Sequence, residues 1–105
     1  MELSSFGRYS DPALLILTSL VSEARHGYAI IEDVKSFSGV CLGPGTLYGA
    51  LARLEQRGLI EALPPEERRH PYRLTTAGGL LLREHLHNLQ QIAETGLRRL
   101  GVSVA

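Results

Sequence analysis

The 105-residue sequence is short of several residue types, and each shortage excludes a class of protein or site. Cys41 is the only cysteine, which excludes an intrachain disulfide and a cysteine-based metal cluster. Tryptophan is absent, and lysine occurs once, at Lys35, beside ten arginines. The formal net charge is zero at pH 7, so the overall field lacks the basic excess typical of nucleic-acid-binding proteins. The preference for arginine still favours bidentate contacts to phosphate or guanine wherever such a contact is made.

Long apolar runs are also missing. The stretch "ALLILTSLV" is far too short to cross a bilayer, and "MELSSFGRYSDP" has no basic region followed by an apolar core. We therefore expect a soluble cytoplasmic protein. A chain of this length is expected to form one small domain, and a second copy is expected to cover any apolar face that the domain leaves exposed.

Two short helices are predicted at the start of the patterned sequence. Asp11 and Pro12 form a helix-start signal, and the apolar residues that follow predict a core helix over roughly residues 12–22. A second helix of about three turns is predicted in "EARHGYAIIEDVKSFSGV", with Gly39 as its stop.

A third helix is predicted in "LGPGTLYGALARLEQRG", from Pro44 to Gly58. Its apolar residues recur at spacings of four and three and define the buried face: Leu47, Leu51 and Leu54. Because only a few residues connect it to the second helix, the pair is typical of a helix-turn-helix corner.

Two short strands are predicted next. Residues 59–63 and 71–75 alternate apolar and polar side chains, whereas Pro64 and Pro65 cannot continue a central strand. We therefore expect a hairpin with a charged loop.

The last predicted helix runs from about Thr76 to Leu100, is capped by Thr75, and is about 38 Å long at 1.5 Å per residue. Its apolar residues form a single seam: Leu82, Leu86, Leu89, Ala93, Leu97 and Leu100. So small a domain cannot bury the whole seam, and we expect it to pair with a second copy.

This order of elements predicts a mainly α fold with a small β-hairpin, namely a winged helix-turn-helix followed by a long C-terminal dimerisation helix. The expected divisions are an N-terminal arm at residues 1–10, a winged helix-turn-helix DNA-binding domain at 11–75, and a dimerisation helix with its tail at 76–105.

Four segments appear in the order "ALLILTSL", "HGYAIIEDV", "LGPGTLYGALARLEQRGLIE" and "RRHPYRLTTAG". Over about residues 12–80 the chain thereby resembles the PadR-type winged-helix transcriptional regulators, and its single last helix resembles that of the short-tailed members. The resemblance implies a DNA-binding dimer, usually a repressor, with the third helix as recognition helix and the hairpin as wing. Some relatives bind small aromatic or cationic compounds near the dimer interface, and drug-binding relatives often stack flat ligands on tryptophan, which this chain lacks.

The third helix is predicted to carry the surface that contacts the bases of DNA. Gly45, Gly49 and Ala50 are small enough to let the helix backbone approach the floor of a major groove, while Thr46 and Arg53 are positioned to touch base edges or phosphate. A merely solvated helix face normally carries Glu, Lys and Gln rather than Gly, so we favour DNA contact over a solvated surface.

Four further side chains are expected to contact DNA. The hydroxyl of Tyr48 can reach a phosphate, or its ring can close the core beside the second helix, and we favour the phosphate. Arg68, Arg69 and His70 at the hairpin tip are positioned to enter a minor groove or to grip phosphates. The two glutamates before them reduce the local charge, so a solvated loop is the alternative.

Other chemistry-bearing residues are interpreted as structural. His26 is expected to serve the start of the second helix, Tyr28 to pack against the last helix, and Cys41 to be buried. His85 and His87 point to different sides of one helix and cannot chelate a metal together. Since no nucleophile with its base and no phosphate loop stands out, we expect no enzyme, no metal and no cofactor.

The resulting hypothesis is a sequence-specific transcriptional regulator, more often a repressor, that binds a pseudo-palindromic operator as a homodimer, with a small-molecule effector near the dimer interface as a further partner. The alternative is a protein-interaction module that has lost DNA binding. Zero net charge and the acidic residues of the wing motivate that alternative.

Overall fold

The computed structural model describes residues 11–103, which form four α-helices and one three-stranded antiparallel sheet. The elements in chain order are α1 (Pro12–Ser19), β1 (Arg25–His26), α2 (Gly27–Ser38), α3 (Pro44–Gln56), β2 (Ile60–Ala62), β3 (Pro71–Leu74) and α4 (Thr76–Arg99). The expected fold, mainly α with a winged helix-turn-helix and a long C-terminal helix, is confirmed. The expected N-terminal arm at residues 1–10 lies outside the described residues.

The first helix begins where the sequence predicts and ends earlier. Asp11 Oδ1 accepts a hydrogen bond of 2.9 Å from the Ala13 amide, and Pro12 occupies the first turn. At the other end Arg25 Nε donates to the Ser19 carbonyl oxygen at 3.0 Å. This side chain thus satisfies a carbonyl at the end of α1, which stops at Ser19 before the chain turns toward β1.

The second helix is capped at both ends. The Ala29 amide donates to His26 Nδ1 at 3.3 Å, which confirms that His26 serves the start of α2. Gly39 follows the last turn with φ of +76°, and its amide donates to the Lys35 carbonyl at 2.9 Å. The stop at Gly39 is therefore confirmed, with glycine supplying the left-handed conformation that ends the helix.

The strand β1 was not expected from the sequence. Its two residues pair with β3, Arg25 opposite Tyr72 and His26 opposite Pro71, and the sheet order is β1, β3, β2. A segment of two residues is too short to show an alternating pattern. It is a strand only because it pairs with β3. The pairing brings the start of α2 against the wing.

The core lies between α1, α2, α3 and the first turns of α4. The largest fully buried side chains include Ile16, Ile30 and Leu47. The predicted buried face of α3 is confirmed, since its three leucines are at most 3% exposed. Cys41 is exposed, so the expectation that it is buried is wrong: the loop between α2 and α3 buries Leu42 instead.

The start of α4 is fastened to the chain that leaves α3. Thr75 Oγ1 donates to the Gly58 carbonyl at 2.7 Å and accepts from the Gly78 amide at 3.1 Å, and the Thr75 amide donates to the Leu59 carbonyl at 3.1 Å. A side chain at position 78 would collide with that same Leu59 carbonyl. The cap predicted at Thr75 is thus confirmed, and it also joins α4 to the end of α3.

The wing ends in a tight turn. Glu66 and Arg69 exchange backbone hydrogen bonds of 2.9 and 2.7 Å across it. The two central residues, Glu67 and Arg68, both have positive φ, +48° and +73°. This pair of left-handed residues matches the twist of the strands but is usually formed by Asn and Gly.

Beyond its second turn α4 leaves the core. The helix has 24 residues and is about 36 Å long, and it gives the molecule extents of 51 × 29 × 22 Å. Leu82 is 3% exposed, whereas the later leucines of the helix stand in solvent. Within residues 11–103, no helix combines the length and apolarity needed to cross a membrane.

Candidate nucleic-acid interface

The outer face of α3 carries small side chains and is open to solvent. Gly45, Thr46 and Arg53 are exposed, and Gly49 is partly exposed. A methyl group built on Gly45 would meet nothing within 4 Å, and one built on Gly49 would meet only Arg53 Nη1, at 3.5 Å. The Arg53 side chain therefore lies across Gly49, and it takes part in none of the ion pairs found within residues 11–103. Its guanidinium is available to an external acceptor.

Ala50 does not belong to this face, and its assignment to the DNA-contacting set is wrong. It is 1% exposed and lies in the core with Leu47, Leu51 and Leu54. Positions 47, 50, 51 and 54 follow the i, i+3, i+4, i+7 pattern of one helix face. A small side chain at position 50 serves close packing inside the domain rather than approach to a groove.

A cleft of about 500 Å³ opens between α3, the start of α2 and the wing. Its aromatic lining consists of Tyr28, Tyr48 and Tyr72. Its cationic and imidazole lining consists of His26, Arg68, Arg69 and His70. The lining residues include no carboxylate, so arginines and hydroxyl donors meet in this cleft although the whole chain has zero net charge.

Tyr48 packs beside the second helix and is also exposed at the cleft. Its ring packs on the first turn of α2, where a methyl group at Gly27 would lie 2.6 Å from the Tyr48 hydroxyl and 3.2 Å from Leu47 Cδ2. The side chain is still 55% exposed and its hydroxyl faces the cleft. Gly27 was not singled out from the sequence, since only the packing reveals that a larger side chain there would displace the Tyr48 ring from its present position.

Tyr28 lies in the cleft and does not pack against the last helix, so that expectation is wrong. The side chain is 67% exposed. The buried face of α2 is formed by Gly27, Ile30 and Val34, and position 28 projects away from it. Tyr28 therefore adds a third phenol to the surface shared with Tyr48.

The Tyr72 hydroxyl remains protonated at neutral pH. Burial, followed by the nearby negative charge of Glu55 and the neighbouring phenol of Tyr48, raises the pKa of Tyr72 above its ordinary value. The group is thus a hydroxyl donor at the floor of the cleft rather than a source of negative charge.

The wing tip presents a mixture of charges. Arg68, Arg69 and His70 are exposed as expected, and Glu66 and Glu67 are exposed in the same turn. Arg69 folds back from the turn, so that its Nη1 lies 3.3 Å from Nε2 of the histidine that caps α2. The structure thus brings the predicted wing residues together with α3 residues and with the start of α2, which the sequence did not assign to this surface.

Most residues of the expected dimer seam are exposed on α4. Leu86, Leu89, Leu97 and Leu100 are 39–80% exposed, and Ala93 is exposed as well. Leu82 is buried against its own core, so its assignment to the seam is wrong. The first two turns of α4 pack against the domain, and the rest of the helix extends beyond it.

Comparisons with known proteins agree with this architecture. A PadR family transcription regulator from Clostridium difficile R20291 is similar in structure, with a TM-score of 0.76 and 29% identity over 85% of this chain and 97% of that chain. A PadR family transcriptional regulator from Eggerthella lenta DSM 2243 is similar with a TM-score of 0.76 and 25% identity over 96% of this chain and 90% of that chain.

A curated relative is a larger protein. The uncharacterized 37.1 kDa protein in transposon TN4556 of Streptomyces fradiae is 42% identical over 86 residues, which make up 82% of this chain and 25% of that protein. This chain thus spans a quarter of that relative's length. The family model described as "Transcriptional regulator PadR-like family" matches residues 16–84, well over half of the chain. The chain therefore belongs to the PadR-like family of transcriptional regulators.

Proposed function

We propose that this chain is a sequence-specific repressor that binds a pseudo-palindromic operator as a homodimer. Membership of a family of transcriptional regulators supports a DNA-binding regulator, and such proteins are generally not enzymes. The observation that carries the finer proposal is the open face of α3 beside a cleft whose lining includes no carboxylate. A regulator of this kind acts where chromosomal DNA lies, which supports a cytoplasmic location.

In this proposal α3 enters the major groove. Gly45 and Gly49 let the backbone approach the groove floor, while Thr46 and Arg53 contact base edges. The exposed guanidinium of Arg53, which has no ion-pair partner within residues 11–103, supports its role as the main reader. Tyr48 donates its hydroxyl to a backbone phosphate at the edge of that groove.

The wing flanks the same site. Arg68 and His70 are exposed beside the cleft and are assigned to phosphate or minor-groove contacts, together with Arg69. Phosphate contacts hold the protein in register but carry no sequence information. The wing is therefore expected to contribute affinity, and α3 to contribute specificity.

A second copy is proposed to cover the seam of α4. The exposed leucines beyond the second turn support this assignment, as does a groove of about 370 Å³ that continues the seam between Val21, Leu82 and Leu86. We accordingly assign DNA binding to residues 11–75 and dimerisation to residues 76–105. Two recognition helices related by the dimer axis would contact major grooves about 34 Å apart.

Repression follows from occupancy, since a dimer across an operator that overlaps a promoter excludes RNA polymerase without further contacts. A small-molecule effector would act through the dimer interface by changing the geometry of the two reading helices. The measurement for an effector is the operator affinity with and without the compound, because coupling between two sites is a change in affinity.

The test of the proposed function is footprinting on the intergenic DNA next to the gene, followed by gel shifts with variants. Arg53→Ala is expected to weaken operator binding by about 1–3 kcal/mol and to relax specificity at one base pair. The matched control is Arg98→Ala on the last turn of α4, which removes the same charge away from α3 and is expected to bind nearly as wild type. Equal protection of operator and random DNA would contradict the proposal.

One observation favours the alternative of a protein-interaction module. Glu66 and Glu67 place two negative charges in the wing turn, and the whole chain has zero net charge. A salt titration separates the two functions: log affinity for DNA falls with log salt concentration if phosphates are bound. A flat response would favour the interaction module.

A further inference from the structure

The corner where β1 leads into α2 holds two hydrogen-bond donors that face each other. The Ala29 amide donates to His26 Nδ1 at 3.3 Å, which requires a lone pair on Nδ1. A neutral imidazole carries its single proton on the other nitrogen. His26 Nε2 is therefore a donor, and it is directed away from the helix that it caps.

The partner of Nε2 is itself a donor. Arg69 Nη1 lies 3.3 Å from His26 Nε2, and a guanidinium has no acceptor atom. The two groups thus cannot bond to each other while His26 caps α2. Their close approach creates a position at which one external acceptor atom can receive a hydrogen bond from both.

The surroundings favour an anionic acceptor on the side of the cleft. His26 and Arg69 line it together with the hydroxyl-bearing Tyr28 and Tyr48. The first amides of α2 lie at the same corner and have no partner within the helix, so the positive end of the helix dipole adds to the attraction.

Two acids lie in a neighbouring groove. Glu32 and Asp33 line a separate groove that also touches His26 and Arg69. Asp33 is already engaged, since Ser19 Oγ donates to its Oδ2 at 2.8 Å and Arg25 Nη2 lies 3.8 Å from its Oδ1. Neither acid comes within ion-pair distance of Arg69, which leaves the guanidinium free to meet an anion from the cleft.

We propose that His26 Nε2 and the Arg69 guanidinium form a two-donor clamp for one oxygen of a DNA backbone phosphate. The clamp rests on the proposed DNA-binding function and extends its contact surface beyond α3 and the wing to the capping residue of α2. It gives His26 two tasks, since one ring nitrogen holds the helix start and the other binds the phosphate. It also anchors the wing to the domain whenever DNA is bound.

The variant that separates these tasks is His26→Asn. Asparagine is among the best N-cap residues and its side-chain oxygen can still accept from the Ala29 amide, but it supplies no donor at the place of Nε2. Arg69→Gln removes the guanidinium and its charge, and the shorter glutamine amide does not reach the place of Nη1. His87→Asn on α4 is the matched control for the histidine change, with its oligomeric state checked by sedimentation because His87 lines the groove beside the seam.

The experiment measures affinity for a random-sequence duplex from low to moderate salt, with thermal unfolding of each variant as the folding control. Each single variant is expected to lose about tenfold in affinity, the scale of a hydrogen bond to a charged group. Arg69→Gln is also expected to reduce the salt slope by about one unit, and His26→Asn to leave it unchanged, since only arginine displaces a counterion.

The double variant tests whether the acceptor is shared. If both donors hold one oxygen, the loss in the double variant is smaller than the product of the two single losses, because removing one donor weakens what remains of the clamp. Losses that multiply, or a His26→Asn variant that folds and binds as wild type, would overturn the clamp and leave the proposed function standing. A wild-type protein that binds no duplex at low salt would overturn both.

A measurement on the wild type distinguishes DNA from free phosphate. The ring-nitrogen NMR resonances of His26 are expected to shift on addition of duplex and to change little with inorganic phosphate at the same phosphate concentration, because a free ion lacks the neighbouring backbone contacts. Equal shifts with both would assign the site to a free anion and overturn the DNA clamp.

Discussion

Gly78 allows α4 to begin in contact with the chain that leaves α3. Any side chain there meets the Leu59 carbonyl, and the backbone would have to move. We expect Gly78→Ala to lower the free energy of unfolding by at least about 2 kcal/mol, as overpacking of a closed site does. Gly79→Ala is the control, since its methyl would meet only Leu74 Cδ2 at 3.8 Å. It is expected to be neutral or to stabilise by up to about 1 kcal/mol.

Urea unfolding of the two variants checks this prediction. Adjacent glycines on one helix carry the same change in helix propensity and in unfolded-chain entropy. A difference in their unfolding free energies therefore measures the collision alone. Equal stability of the two variants would contradict the close approach at position 78.

At the residue scale, helix caps could be predicted from the sequence. The direction in which a side chain points was harder to predict. The caps at Asp11 and Thr75 depend on neighbours one to three residues away, and both are confirmed. Ala50 was misassigned because a small residue fits a groove-facing surface and a tight core equally well. Tyr28 was expected to pack because an aromatic ring suits a core, whereas Ile30 is the residue of α2 that reaches the core.

At the scale of elements, the wing turn carries a conformational cost. Glu67 and Arg68 both occupy the left-handed region, which costs ordinary residues about 1–2 kcal/mol each. Asparagine tolerates this region better, so we expect Glu67→Asn to raise the free energy of unfolding by about 0.5–1 kcal/mol. Chemical unfolding monitored by circular dichroism measures the change.

The control for the turn is Glu66→Asn, which removes the same charge from a residue outside the left-handed region. Both variants are expected to bind DNA more tightly by a similar factor, because each removes one negative charge near the phosphates. Only Glu67→Asn is expected to be more stable than wild type. A gain in stability for both would attribute the effect to charge rather than to the backbone.

Elements with an internal pattern were predictable, and those that depend on a partner were not. The leucine spacing of α3 and the apolar seam of α4 predicted both helices. Strand β1 has two residues and exists only because β3 lies beside it. The cleft likewise could not be predicted from local sequence. Its lining comes from α2, α3 and the wing, which are separate in sequence and meet only after folding.

At the scale of the whole molecule, the exposed part of α4 is the surface through which we propose that the dimer forms. Leu89 is 45% exposed in the middle of the seam. We expect Leu89→Asp to give a folded monomer in sedimentation measurements and to weaken operator binding, because an apolar interface cannot accommodate an unpaired carboxylate. Gln91→Asp, which adds the same charge on another side of the helix, is expected to stay dimeric. A dimer that survives Leu89→Asp would contradict the seam.

The bonds of Thr75 have a mechanical consequence for such a dimer. The residue is hydrogen-bonded to Gly58 and Leu59 just after α3 and also caps α4. If α4 of one subunit rotated against α4 of the other, α3 would therefore move with it as part of one rigid body. In the proposed dimer, the first turns of α4 would stay packed in the domain while the rest of the helix lies in the interface. Small changes in the crossing angle of the two α4 helices would then alter the distance between the two α3 helices.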